Sequence, residues 1–297
     1  MMSVEAQGAF QGEGIQDMSV ILITGCSSGI GLHTALAFAK NGDTVVASMR
    51  NPAKSATLKD AANTADVELE VIALDVTDDS SASAAVDDVL ARHGHIDVLV
   101  NNAGVGLSGP VEDFPIDLAR TAIETNFWGP VRMSRLVLPS MRAQGRGVIA
   151  NVSSITARLP AFPAYGFYAA GKYAINALSE SLSAEVAPFG IRVLSIEPGY
   201  FDTELVATID SLLSQVHDTS PYAEVNRFML NFSKNALATG GNPADVGSAI
   251  VAAVSDPASA LHVTVGADTG VFLDVWKNTG TFESFSAAMA EILGAQV

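Results

Sequence analysis

From Ser19 onward the sequence alternates short apolar runs with helical stretches, and this rhythm constrains the fold more than any other feature. Short apolar runs are typical of strands that are buried on both faces of a sheet. The runs predict strands at residues 20–23, 44–47, 67–74, 98–100, 148–152, 193–196 and 262–265. Strands that alternate with helices favour a parallel sheet covered on both faces, so we expect an α/β fold with a doubly wound parallel sheet.

The same pattern predicts helices at residues 30–39, 81–92, 118–141, 168–186 and 244–254, with a further helical segment at the C-terminus. The rhythm breaks between Gly199 and Asn242, which predicts one or two helices outside the sheet. Residues 1–18 are rich in Gly, Gln and Glu and show no apolar period, so we expect a flexible N-terminal tail. Residues 19–297 are expected to form a single domain with a helical lid at about 200–240 and a C-terminal extension.

The composition narrows the choice of partners. The formal net charge is −16, from 32 acidic and 16 basic residues. A surface this acidic repels nucleic acid and anionic lipid, which argues against both as partners and leaves a small molecule. There is no run of about 18 apolar residues and no secretory signal pattern, and the lone cysteine, Cys26, predicts a cytoplasmic location. The spacing of His, Cys and carboxylate residues predicts no metal site.

Residues 24–31 read T-G-C-S-S-G-I-G and join a predicted strand to a predicted helix. Gly25 permits a tight turn, Gly29 lets the backbone approach a diphosphate, and Gly31 lets the helix pack close to the sheet. The helix N-terminus adds N–H groups and a partial positive charge that attract phosphate despite the acidic surface. The turn therefore predicts a dinucleotide site whose candidate contacts are Gly25, Ser27, Ser28, Gly29, Ile30 and Gly31.

The end of the second predicted strand is expected to select the cofactor. A carboxylate there binds the ribose hydroxyls of NAD(H) and repels the 2′-phosphate of NADP(H). Residues 48–51 read S-M-R-N, so no acid is present, and Arg50 offers a planar guanidinium that suits phosphate. Ser27 and Ser28 add hydroxyl donors. We therefore expect NADP(H), with NAD(H) as the alternative if Arg50 is an ordinary surface residue.

Further motifs follow the glycine turn in a fixed order. They are N-N-A-G at 101–104, Asn126, the serines at 153 and 154, Tyr168 with Lys172, and Pro198 with Gly199. In this order they resemble short-chain dehydrogenase/reductases over residues 19–203. The glycine turn, Arg50 and L-S-E-S-L-S-A-E-V at 178–186 resemble the 17β-hydroxysteroid dehydrogenase-like branch. The resemblance implies a Rossmann fold and an oxidoreductase that acts on CH–OH and C=O groups with NAD(P), as a homodimer or homotetramer.

The resemblance also implies the remaining cofactor contacts. Two residues after the third predicted strand match the position that contacts adenine, and Thr203 matches one that bonds the carboxamide. The residues after the fourth strand would line the cofactor groove, although Asn102 alternatively braces the sheet. Together with Tyr168 and Lys172, these contacts are Asp75, Val76, Asn102, Ala103, Gly104, Pro198, Gly199 and Thr203.

Tyr168 and Lys172 are the candidate proton donor and its helper. Spaced i, i+4, they lie on one face of the predicted helix. A free tyrosine has a pKa of about 10, and a nearby ammonium together with a positive nicotinamide ring is expected to lower it. The resemblance adds that Lys172 holds the nicotinamide ribose. It also implies that Asn126 kinks the long helix and holds a water that links Lys172 to solvent.

The resemblance assigns a serine that hydrogen-bonds the substrate oxygen. Its usual place, one residue nearer to the tyrosine, is taken by Ile155, whereas Ser154 stands fourteen residues before Tyr168. Because Pro163 keeps its usual offset from the tyrosine, we place one extra residue between Ser154 and Pro163. Ser154 is the candidate, with Ser153 as the weaker one.

The predicted function is hydride transfer between the nicotinamide and an apolar or aromatic alcohol or ketone, such as a hydroxysteroid-like substrate. The lid and Phe162, Tyr165 and Phe167 suit such a substrate, unless they only pack the lid on the body. Two other functions remain open. One is a non-catalytic dinucleotide-sensing protein, which the shifted Ser154 and the unusual Gly171 favour, and the other is an NAD-dependent alcohol dehydrogenase.

Overall fold

The computed structural model describes residues 18–160, 162–214, 219–238 and 240–293. Their strands form one seven-stranded parallel sheet in the order β3-β2-β1-β4-β5-β6-β7. The strands are β1 (Val20–Ile23), β2 (Thr44–Met49), β3 (Glu70–Ala73), β4 (Val98–Asn101), β5 (Gly147–Val152), β6 (Ile191–Pro198) and β7 (His262–Val265). The chain winds outward from β1 to β3 and then returns to β4, so the strand order reverses between β1 and β4. The predicted doubly wound parallel sheet is confirmed.

Helices cover both faces of the sheet. In the described residues they are α1 (Gly29–Lys40), α2 (Ala56–Thr64), α3 (Asp79–His93), α4 (Ile116–Ile123), α5 (Gly129–Gln144), α6 (Gly166–Val186), α7 (Glu204–Ser214), α8 (Ala223–Ala238), α9 (Pro243–Ser255), α10 (Ala267–Thr279) and α11 (Phe282–Leu293). Buried residues of α1, α2 and α9 pack on one face, and those of α3, α5 and α6 pack on the other. The lid predicted outside the sheet is formed by α7 and α8.

The strand β1 explains why the sheet needs both layers. Successive side chains of a strand point to opposite faces. Val20 and Leu22 accordingly lie in the core shared with α3 and α5, whereas Ile21 and Ile23 lie in the core shared with α1 and α9. All four side chains are at most 4% exposed, which is why this strand is apolar throughout.

Two elements near the edge of the sheet differ from the prediction. The helix α2 was not predicted, because only Leu58 and Ala62 are buried in it and most of its other residues are exposed. The strand β3 covers Glu70–Ala73 rather than residues 67–74. It is shorter because the Val67 N–H donates to the Ala62 carbonyl oxygen and so closes the end of α2.

The long helix predicted at residues 118–141 is interrupted. Helix α4 ends at Ile123, a π-helical turn spans Glu124–Trp128, and α5 begins at Gly129. Such turns are frequent at functional sites. This one contains Asn126, which is 3% exposed.

Some of the predicted segments lie outside the described residues. They are residues 1–17 of the expected tail, residues 215–218 and 239 of the expected lid, and residues 294–297 of the C-terminal extension. Among the helices that the structure describes, none combines the length and the apolar character needed to cross a membrane.

Candidate active site

A cavity of about 380 Å³ opens at the carboxyl edge of the sheet, around the point where the strand order reverses between β1 and β4. Ligands of doubly wound folds bind at such a point. Every candidate cofactor contact lines this cavity, and so does Ser154. Lining residues that the sequence did not point to are Met49, Leu74, Thr77, Val105, Gly106, Thr125 and Val152. The predicted lid segment contributes Phe201, Thr203, Glu204, Leu205, Val206 and Thr208.

The glycine turn after β1 packs tightly against the end of β4. Gly25 has a φ of +73°, and a Cβ there would lie 2.8 Å from the Cα of Ala103. A Cβ at Gly31 would lie 2.3 Å from both the Gly25 carbonyl oxygen and the Asn102 side-chain nitrogen. Gly29 has a φ of +55°, a conformation that side chains disfavour. The turn therefore presents bare backbone to the cavity, which fits a dinucleotide diphosphate.

Asn102 braces this turn. Its side-chain amide donates to the carbonyl oxygens of Thr24 at 2.8 Å and Gly25 at 3.0 Å. The Thr24 hydroxyl accepts in return from the backbone N–H groups of Asn102 and Ala103, both at 3.0 Å. The Asn102 side chain thus braces the glycine turn rather than the sheet, and it also lines the cavity.

The first turn of α1 suits an anion. Ser28 occupies the N-cap position without a side-chain capping hydrogen bond, and the first turn contains no acidic residue. The Ser28 hydroxyl donates instead to Glu204 Oε2 of α7 at 2.7 Å. The Thr203 side chain lies above the turn, 3.5 Å from where a Cβ of Gly29 would be. The first N–H groups of the helix are therefore left without a side-chain acceptor, as a bound diphosphate requires.

Arg50 and Asp75 follow neighbouring strands at the same end of the cavity. The Asp75 carboxylate accepts from the Thr77 N–H at 2.9 Å and from the Thr77 hydroxyl at 2.7 Å. Burial acts to raise the pKa of Asp75, but these hydrogen bonds and the charges of Arg50 and Arg132 hold it below its usual value. Asp75 is therefore an ionised, tethered carboxylate, and the exposed Arg50 guanidinium remains at the cavity.

Tyr168 and Lys172 lie one turn apart on α6 and are 8% and 5% exposed. Lys172 Nζ lies 5.8 Å from the centre of the Tyr168 ring and donates to the Val152 carbonyl oxygen at 2.8 Å. Burial raises the pKa of Tyr168 to about 12, although a hydrogen bond with the Ser154 side chain acts in the opposite direction. Burial also lowers the pKa of Lys172 to about 8. The ammonium alone therefore does not lower the tyrosine pKa, and the expected lowering depends on the positive nicotinamide ring.

The loop after β5 forms a 3₁₀ turn over Ile155–Ala157, and Ser154 at its start lines the same cavity as Tyr168. The Ser154 hydroxyl oxygen accepts from the Thr156 N–H at 3.2 Å and from the Thr156 hydroxyl at 2.5 Å. Since two donors occupy its lone pairs, its own proton is left to donate. The extra residue expected between Ser154 and Pro163 stays a prediction.

Thr156 is a site residue that the sequence reasoning missed. A threonine two residues after a serine is the spacing of a hydroxyl turn, and this signal was available in the sequence. The weaker serine candidate, Ser153, is engaged elsewhere, because its hydroxyl donates to the Lys172 carbonyl oxygen at 3.3 Å. The geometry therefore separates the two serines in favour of Ser154.

Asn126 ties the π-helical turn to the segment after β4. The Val105 N–H donates to Asn126 Oδ1 at 2.8 Å, and Asn126 Nδ2 donates to the Val105 carbonyl oxygen at 2.9 Å. A Cβ at Gly104 would lie 3.4 Å from Asn126 Oδ1 and 3.9 Å from Lys172 Nζ. The expected disturbance of the helix at Asn126 is confirmed. Its expected role in holding a water beside Lys172 stays a prediction.

Of the three aromatic residues noted before Tyr168, Phe162 and Tyr165 are buried, whereas Phe167 is partly exposed and packs against Phe114 at 5.5 Å between ring centres. The Phe162 ring packs against Phe232 of α8 at 5.6 Å and Phe285 of α11 at 6.1 Å. Tyr165 packs edge-on against Tyr168 at 6.1 Å between ring centres. These contacts favour the alternative in which the aromatics pack the lid on the body. The lid residues that do line the cavity are Phe201, Glu204, Leu205, Val206 and Thr208.

Gly31→Ala is expected to lower the Tm by about 5 °C or more, because the added Cβ collides with the Gly25 carbonyl oxygen, a backbone atom that cannot move alone. Gly270→Ala is the matched control, since its Cβ would meet nothing within 4 Å and the position lies in helix α10. Thermal unfolding followed by circular dichroism compares the two. Equal Tm values would contradict the close approach of turn and helix.

Comparison with known proteins identifies the family. A family model described as short chain dehydrogenase matches residues 19–212. The 17-beta-hydroxysteroid dehydrogenase type 1 of Homo sapiens is 34% identical over 253 residues, which cover 82% of this chain and 76% of that protein. A short-chain dehydrogenase from Streptomyces avermitilis superposes with a TM-score of 0.75 at 35% identity, covering 93% of this chain and 96% of its own. An actinorhodin polyketide ketoreductase solved with NADPH superposes with a TM-score of 0.74 at 28% identity, covering 87% and 99%. The chain thus belongs to the short-chain dehydrogenase/reductase family and is an oxidoreductase of CH–OH and C=O groups.

Proposed function

We propose that the protein transfers a hydride between NADP(H) and an apolar or aromatic alcohol or ketone, with Tyr168 as the proton donor. One observation carries the proposal. The buried Tyr168 phenol, the Ser154 hydroxyl and Lys172 meet at the wall of the same cavity that contains the glycine turn. Groups that fit a dinucleotide and groups that fit proton transfer therefore share one space.

Tyr168, Ser154 and Lys172 have different roles in the proton transfer that accompanies hydride transfer. When bound, the nicotinamide supplies or accepts the hydride. Tyr168 donates a proton to the carbonyl oxygen in reduction and takes it back from the hydroxyl in oxidation. Ser154 donates its proton to the same oxygen, because Thr156 occupies its lone pairs. With a pKa of about 8, Lys172 is mostly protonated at neutral pH, and its charge favours the phenolate that proton transfer leaves. Lys172 then returns a proton to Tyr168 from a water that Asn126 holds.

The choice of NADP(H) is supported by the residues at the end of β2. Arg50 is exposed there and lines the cavity. No carboxylate occupies the positions at which NAD(H)-binding folds hold the ribose hydroxyls, since residues 48–51 read S-M-R-N. The similar ketoreductase was solved with NADPH. Use of NAD(H), as in an NAD-dependent alcohol dehydrogenase, is the alternative that titration with both cofactors decides.

The apolar substrate is supported by the lid wall of the cavity. Phe201, Leu205 and Val206 contribute apolar surface beside the catalytic groups. The human relative is named for a hydroxysteroid, and an apolar alcohol or ketone is the chemistry that such a wall recognises. The alternative of a non-catalytic sensor relied on a displaced Ser154, and the place of Ser154 in the same cavity wall as Tyr168 and Lys172 argues against that displacement.

Three further inferences complete the proposal. Residues 19–297 act as one domain. The protein forms a homodimer or homotetramer, in keeping with the exposed apolar side chains Ile116, Leu118 and Trp128 around α4 and the π-helical turn. Its location is cytoplasmic, since the lone Cys26 forms no disulfide within the chain.

Tyr168→Phe is expected to lower kcat at least about a hundredfold while NADPH still binds, because the phenyl ring keeps the packing but carries no proton. Tyr222→Phe is the control, since it makes the same chemical change on the lid, where the Tyr222 hydroxyl donates to Glu112. Steady-state kinetics with a panel of apolar ketones and NADPH fluorescence titration measure the two effects. Turnover that survives in Tyr168→Phe would overturn the assignment of the proton donor.

Arg50→Asp is expected to lower the ratio of kcat/KM for NADPH to that for NADH by at least about tenfold, because the carboxylate repels the 2′-phosphate and can bind ribose hydroxyls. Arg120→Asp reverses the same charge on α4, where Arg120 pairs with Asp117 and is 74% exposed. The control is expected to leave the ratio unchanged. An unchanged ratio in Arg50→Asp would mean that Arg50 does not select the cofactor.

Thr156→Val is expected to lower kcat by about tenfold with little change in the Kd of NADPH, because Ser154 loses the hydroxyl donor that orients its proton. Thr156→Ser keeps that donor and is expected to recover most of the activity. Steady-state kinetics of the three proteins provide the measurement. If the valine variant matches the parent protein, Thr156 has no part in orienting Ser154.

A further inference from the structure

A buried carboxylate outside the cavity remains without a role in the chemistry described so far. Glu197 lies in β6, one residue before Pro198, and is 0% exposed. An ionised group this deep in a protein needs partners that replace water. Side chains from α6 and β7 contact one of its carboxylate oxygens, and an arginine of the loop after β5 contacts the other.

Glu197 Oε1 faces the fixed body of the protein. It accepts from Asn176 Nδ2 of α6 at 2.9 Å and lies 2.6 Å from His262 Nδ1 of β7. His262 Nε2 in turn lies 3.1 Å from Glu180. Ser195 completes the arrangement by donating to Asn176 Oδ1 at 2.7 Å. This side of the carboxylate is therefore held by a helix and a neighbouring strand.

Glu197 Oε2 faces the loop that carries Ser154. It accepts from Arg158 Nη1 at 3.2 Å. Arg158 is the residue that closes the 3₁₀ turn, since its N–H donates to the Ile155 carbonyl oxygen at 2.9 Å. The next residue is also tethered, because the Tyr173 hydroxyl donates to the Leu159 carbonyl oxygen.

We propose that Glu197, acting through Arg158, is a positioning residue that holds the 3₁₀ turn and thereby fixes the Ser154 hydroxyl beside Tyr168. The inference rests on the proposed function for its catalytic consequence. Between Arg158 and Ser154 lie only the three residues of the turn, and one of them, Thr156, supplies both donors to the Ser154 oxygen. A shift of the turn therefore moves the donors and the serine together.

The loop between β5 and α6 contains only the short 3₁₀ turn as regular structure. A salt bridge to a buried carboxylate that α6 and β7 already hold gives this loop one fixed point. Arg158 is only partly buried, at 37% side-chain exposure, so the buried end of the pair is the one that sets the geometry.

Arg158→Met is the first variant, because Glu197 keeps Asn176 and His262 when the guanidinium is removed. We expect kcat to fall about tenfold while the KM for NADPH stays within about twofold, since the cofactor contacts lie elsewhere. Arg92→Met is the matched control, because Arg92 also bridges carboxylates, Glu70 and Asp88, and has the similar side-chain exposure of 36%. Its kcat is expected to equal that of the parent protein.

The decisive comparison repeats Arg158→Met in a Ser154→Ala background. If Arg158 acts through Ser154, the residual kcat of Ser154→Ala falls by less than about twofold on adding Arg158→Met. If the loss is the same in both backgrounds, Arg158 has a general structural role and the proposal is wrong. Arg158→Lys, which keeps the charge, is expected to recover part of the activity, and E197Q is expected to act in the same direction as Arg158→Met.

A second measurement does not depend on turnover. Amide hydrogen exchange of the 3₁₀ turn and Arg158 is expected to quicken about fivefold or more in Arg158→Met, with the glycine turn at 24–31 unchanged. Unchanged exchange in the 3₁₀ turn overturns the proposal. Absence of turnover in the parent protein with every ketone tested would instead contradict the proposed function, and the exchange measurement would still decide whether Arg158 holds the turn.

Discussion

The cavity depends first on the close approach of the glycine turn after β1 to the end of β4. At Gly31 a Cβ would lie 2.3 Å from the Gly25 carbonyl oxygen, so the turn and the helix α1 meet with no room for a side chain. The Asn102 amide and the Thr24 hydroxyl bond across this junction. The strand order reverses between β1 and β4, and a crevice therefore opens at the carboxyl ends of these two strands. Every other group of the site is arranged around that crevice.

Burial acts on the two catalytic candidates in opposite directions. It raises the pKa of the Tyr168 phenol to about 12 and lowers the pKa of the Lys172 ammonium to about 8. Water-poor surroundings favour the neutral form of each group, so the phenol holds its proton firmly until a positive charge is placed beside it. In the same cavity wall, the Ser154 hydroxyl oxygen already accepts two hydrogen bonds from Thr156. A network of this kind works only if its members are held in place, and the segments from Ser154 to Arg158 and around Asn126 provide that restraint.

Much of the fold could be predicted because it rests on short-range periodicity. The strands β1 and β7 begin and end where their apolar runs do, and the i, i+4 spacing of Tyr168 and Lys172 survives in α6. The prediction failed where periodicity is weak. Helix α2 buries little more than Leu58 and Ala62. The apolar pattern of residues 118–141 predicts one continuous helix and does not indicate the π-helical turn within it. At the π-helical turn a contact with a distant segment replaces the local pattern, because Asn126 bonds both backbone groups of Val105, 21 residues away.

The sequence by itself determined the alternation of strands and helices, the position of the glycine turn and the tyrosine–lysine pair, because each depends on residues within a few positions of one another. The tertiary structure alone decided which serine faces Tyr168, that Asn102 braces the turn, and that Phe162 and Tyr165 pack the lid on the body. It alone also joined Arg158 to Glu197, which lie 39 residues apart. The physical reason is that hydrogen bonds and ion pairs require a separation of about 3 Å between atoms. Only the folded chain sets such a distance between residues that are remote in sequence.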